Sequence, residues 1–149
     1  MIIVPLAIAV AVGIIGLFLM SGSSLNANQM VQHNHVTLNV TIGGQPAVVP
    51  AHIGMVQVGK GENPLLYGDH SLDKYGMEGM SPLHTHDATG LIHVESNTIR
   101  NFTLGEFLDV WQGLNINGKV AIAAVDGKPV SDFRNTLLKD GEKIELDIK

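Results

Sequence analysis

One stretch of this chain, Asn101 to Trp111, carries apolar residues at helical spacing, whereas the other periodic segments alternate with a period of two. Leu104, Phe107, Leu108 and Trp111 recur on one helical face, and Thr103 with Glu106 has the pattern of a capping box. Gly113 is the expected stop. A lone amphipathic helix has no helical partner for its apolar face and must pack on a sheet.

Strands are signalled on both sides of it. Val36, Leu38, Val40 and Ile42 alternate with polar neighbours, and Gly43-Gly44 makes a tight reversal. Gln45 to Pro50 then returns as a strand that its prolines confine to an edge. Beyond the helix come Val120 to Val125, a turn at Asp126-Gly127, a short partner Lys128 to Val130, and Lys143 to Ile148 with strict alternation. Strands, one helix, then strands predict an α+β domain, with a mixed sheet packed β-grasp-like on one main helix.

The first residues stand apart from that domain. Ile2 to Met20 carries no charge, and at about 1.5 Å rise per residue it is long enough to span a hydrocarbon layer roughly 30 Å thick. A signal peptide has a shorter apolar region preceded by Lys or Arg, and none precedes this one. Residues 1–21 are therefore expected to form a transmembrane anchor, with a cleaved signal peptide as the alternative. Residues 22–32 follow as a linker, and 33–149 as a domain facing away from the cytoplasm. With no cysteine, that domain has neither disulfides nor a thioether lipid anchor. Fourteen Asp and Glu against nine Lys and Arg, with no basic cluster, argue against a nucleic-acid partner. The partners expected are the membrane itself and a protein in the same membrane.

Chemistry concentrates in Leu83 to Ser96, which holds three of the seven histidines together with Asp87 and Glu95. Asp87-Ala88-Thr89-Gly90 supplies turn chemistry and Leu91 to Val94 suits a strand, so the stretch is expected to be a hairpin. Residues i and i+2 of a strand share a face, which lets His84 and His86 hold one cation. If His84 lies opposite His93, then His84, His86, His93 and Glu95 converge while Thr85, Ile92 and Val94 turn to the core. A slip of one residue disperses the group.

The remaining histidines are less pointed. His33 and His35 look like the solvated start of a strand, and His52 and His70 lie in the long Gly- and Pro-rich connection from Ala51 to Pro82. A structureless connection of that length is uncommon unless it serves a site. Met55, Met77 and Met80 within it are soft donors suited to Cu(I), although apolar packing is their usual role. His-x-His followed by an acid also occurs on the first strand of metal-dependent hydrolase barrels, but such barrels need roughly 250 residues.

The hairpin, ending in His93-Val94-Glu95-Ser96, and the helix opening at Thr103-Leu104-Gly105 and closing at Trp111 resemble a family of uncharacterised exported prokaryotic and archaeal proteins. That family often places a Cys shortly before the first His, where this chain has Gly79 and Met80. The resemblance implies export and an intact hairpin–helix unit, and it carries no reaction.

The expected function is a membrane-anchored domain that binds Cu or Zn through His84, His86 and His93, with Glu95 or Asp87 assisting. The alternatives are a small metal-dependent enzyme with Glu95 as general base, and a structural or interaction domain whose hairpin side chains only satisfy buried hydrogen bonds.

Overall fold

The computed structural model describes residues 29–149. It is an α+β domain with one mixed seven-stranded sheet and one α-helix. The strands are β1 (Gln32–Ile42), β2 (Gln45–Ala47), β3 (Leu83–His84), β4 (Leu91–Ser96), β5 (Ala121–Val125), β6 (Lys128–Val130) and β7 (Lys143–Ile148), and the helix is α1 (Leu104–Val110). The sheet runs β3-β4-β1-β7-β5-β6, with β2 also paired to β1.

β1 is the axis of this arrangement. Its first half, Gln32 to Thr37, pairs antiparallel with β4, and its end pairs with β2. Its other edge lies parallel to β7, with Leu38 beside Ile144 and Val40 beside Leu146. Alternation then sorts the side chains. Val36, Leu38, Val40, Leu83, Ile92, Val94, Ile144, Leu146 and Ile148 are buried on one face, together with Phe102, Leu104, Phe107 and Trp111 from the helical segment. The odd-numbered residues of β1 and β4 are left to the opposite face.

The helix begins as expected. Thr103 Oγ1 accepts from the Glu106 amide, and the Glu106 carboxylate accepts from the Thr103 amide. Its last residue is Val110, three before Gly113, because Trp111 leaves helical geometry at ψ 83° and its ring is buried in the core. The second strand is shorter than Gln45 to Pro50, since only Gln45 to Ala47 pairs with β1. β1 also starts at Gln32, one residue inside the segment expected to be linker. The apolar run Ile2 to Met20 lies outside the described residues. Among the described residues no helix is long and apolar enough to cross a membrane.

The long connection folds back on the hairpin. The His52 amide donates to Thr85 O at 2.9 Å, the Thr85 amide donates to Ile53 O at 3.1 Å, and Thr85 Oγ1 donates to Pro50 O at 2.7 Å. The Ser81 amide donates to Gly54 O at 2.7 Å. The free edge of β3 is thereby covered rather than left to solvent.

Candidate metal centre

The hairpin adopts the register that gathers its ionisable groups. His84 lies opposite His93 and Leu83 opposite Val94, so Leu83, Ile92 and Val94 face the core while His84, His93 and Glu95 face away from it. β4 in turn pairs with β1, which sets His35 opposite His93 and His33 opposite Glu95. Directly opposed residues share a face. His84, His93 and His35 thus form a row across three adjacent strands, with Glu95 and His33 in the next row and His86 just past the end of β3.

The ligand atoms are close. Nε2 of His84 is 3.3 Å from Nε2 of His86, and Nε2 of His33 is 3.1 Å from Nε2 of His35. Two nitrogens held about 2.0–2.1 Å from one tetrahedral ion stand roughly 3.3 Å apart, so both pairs have chelating separations. Glu95 lies between them: Oε1 is 3.3 Å from His33 Nε2 and 3.5 Å from His93 Nδ1, and Oε2 is 3.9 Å from His84 Nε2. The donor atoms of His84, His86, His93 and Glu95 all lie within 4.8 Å of one another, and so do those of His33, His35 and His93.

His84 is the most constrained of these side chains. It is 1% exposed, and its Nδ1–H donates to the Ser81 carbonyl at 2.9 Å. A carbonyl only accepts, so Nδ1 holds the proton and Nε2 presents its lone pair to His86. Without a cation, His86 Nε2–H donates into that lone pair; shifting the His86 proton to Nδ1 leaves two lone pairs converging on one point. Burial lowers the pKa of His84 to about 4, against the Ser81 hydrogen bond and the Glu95 charge, which raise it. The ring is neutral at neutral pH, the state a metal ligand requires.

His93 supports the same reading. Burial, then the neighbouring His86 and His35, lower its pKa, and its buried Nδ1 has no hydrogen-bond partner among the described residues. An orphaned buried polar atom commonly costs about 1–3 kcal/mol, and an ion on this face would satisfy it.

Asp87 departs from expectation. It is exposed and accepts from both the amide and the hydroxyl of Thr89, which hold its carboxyl below the usual range; it shapes the hairpin turn and does not join the converging donors. His33 and His35 depart the other way. They belong to the imidazole face and are not simply a solvated strand start. Their signal was the i, i+2 spacing in antiphase with Val36 and Leu38, although only the pairing of β1 with β4 reveals what they face.

His52 and His70 remain loop residues. His70 lies 2.9 Å from Asp73 and 2.8 Å from Glu62, and Tyr67 OH donates to Asp73 at 2.6 Å, so this network ties the long loop to itself. Within the same loop Met80 forms isolated bridges with Met55 and with Met77. No family model, curated protein or solved structure matches the chain.

Proposed function

We propose that this domain binds a divalent first-row transition-metal ion, zinc or copper, through His84, His86, His93 and Glu95. The observation that carries this reading is the bond from His84 to the Ser81 carbonyl, in which a buried imidazole has its Nδ1–H fixed so that Nε2 is left as a ligand. Metal-ligating histidines are commonly oriented in this way. Three imidazoles and one carboxylate suit Zn(II) or Cu(II), and the set contains no thiolate.

A binding or delivery role is favoured over catalysis. Glu95 sits among the imidazoles as a fourth donor rather than beyond them as a free base. A concavity of about 580 Å³ bounded by β1, β2 and the hairpin turn is lined by none of these residues.

By the same reading the domain is β-grasp-like. The order β2-β1-β7-β5-β6, the parallel β1–β7 pair and a helix between β2 and β5 in sequence support it, with the β3–β4 hairpin added beside β1. Residues 1–21 would tether the domain to a membrane facing away from the cytoplasm, where a protein in that membrane supplies or takes the ion. The length and apolarity of Ile2 to Met20 support this part.

Equilibrium dialysis of the full chain against Zn²⁺ and Cu²⁺ tests the proposal. The wild type should retain at least one ion per chain, and the double substitution His84→Ala, His86→Ala should weaken its binding at least about tenfold, which is at least about 1.4 kcal/mol. Undiminished binding by a folded double variant would exclude this ligand set.

A further inference from the structure

We infer that the same sheet face holds two divalent ions, with Glu95 between them. This rests on the metal-binding reading above and extends it to His33 and His35. Five imidazoles and a carboxylate are more donors than one four-coordinate ion uses. They also divide spatially into two chelating pairs, His84 with His86 and His33 with His35, whose Nε2 separations are 3.3 and 3.1 Å.

Glu95 turns one oxygen to each pair. Oε1 lies 3.3 Å from His33 and Oε2 lies 3.9 Å from His84, the disposition of a bridging carboxylate. His93 lies among both groups of donors, and its single lone pair gives three imidazoles to one ion and leaves two for the other. Asp140 adds negative charge at the second position, where its Oδ1 accepts from the His35 amide at 2.8 Å.

The two positions differ in access. The first includes the buried His84, whereas the second is closed by His33, whose side chain is 43% exposed. The outer ion therefore exchanges with solvent more readily than the inner one. Both positions offer imidazole and carboxylate, which selects a borderline divalent ion such as Cu²⁺ or Zn²⁺ over Cu⁺.

Copper(II) loading of the full chain, read by metal analysis and electron paramagnetic resonance, tests the inference. The wild type is expected to hold two Cu²⁺ per chain, with spin–spin coupling that removes the isolated-ion signal. His33→Ala, His35→Ala should hold one ion with an uncoupled spectrum, and the milder His33→Gln, His35→Gln pair should behave alike if loss of ligands rather than of folding is responsible. Glu95→Gln should weaken the coupling. A single ion per chain that both His33/His35 variants leave unchanged would overturn the second site while sparing the first, and two uncoupled ions would overturn the placing of Glu95 between them. No bound ion in the wild type would overturn both readings.

Discussion

His84 is held by the Ser81 carbonyl on its ring, and Gly54 passes close enough that a Cβ there would lie 3.3 Å from the His84 Cβ. Its burial gives the domain a pH dependence of defined sign. With metal removed by a chelator, the unfolded chain protonates this ring below its ordinary pKa of 6.5, whereas the folded chain does so only near 4. The unfolded state therefore binds more protons in that window, and stability falls as pH drops from about 6.5 to 4. His93, lowered in the same direction, adds to the slope. Denaturant midpoints of wild type and His84→Gln should diverge little above pH 7, and the wild type should lose ground to the variant between pH 6.5 and 4. A pH-independent difference would contradict a buried neutral ring.

Gly54 supplies a second test at this scale. Its φ is +68°, and a Cβ there would lie 2.4 Å from Leu83 O and 3.3 Å from the His84 Cβ. Gly59 is similarly left-handed at φ +77° but would meet nothing. Gly59→Ala should cost only the conformational term, about 1–2 kcal/mol. Gly54→Ala should cost more in chemical denaturation and should weaken metal binding as well, because the loop can no longer close on His84.

Among the elements, the hairpin was the most legible. Asp87 to Gly90 named its turn, and burial of Ile92 and Val94 dictated the register that opposes His84 and His93. Asp87 and Glu95 were alternatives in sequence, because an aspartate that caps its own turn and one that ligates are the same letter; the structure shows Asp87 bonded to Thr89 in the turn. The covering of β3 by residues 50–54 could be suspected from the length of the connection, but its hydrogen bonds to Thr85 are non-local and leave no periodic trace. For α1, the capping box and apolar stripe marked the start correctly, whereas Trp111 ended the helix early by turning into the core. Trp111 is 4% exposed, so Trp111→Ala should destabilise by about 3–5 kcal/mol. An unchanged denaturant midpoint would mean that the helix is peripheral.

At the scale of the whole molecule, β1 reconciles the core with the site. One parity of its residues, Val36, Leu38 and Val40, closes the core under α1, and the other parity carries His33 and His35 to the outer face. The class of fold was readable from alternating strands around one helix, since burial of the helix stripe needs a sheet. The insertion of β4 against the first half of β1 was not readable, because strand neighbours are chosen by long-range pairing. That pairing is what turns a hairpin with three histidines into a face with five.

The claim on which the account turns is that imidazole nitrogens of this face bind a transition metal. X-ray absorption at the metal edge of the zinc-loaded full chain measures this directly. Nitrogen and oxygen neighbours are expected at about 2.0–2.1 Å with outer-shell scattering from imidazole, and in His84→Ala, His86→Ala the zinc content should fall while the imidazole scattering that remains comes from His33, His35 and His93. An ion surrounded by oxygen alone, without imidazole scattering, would contradict it.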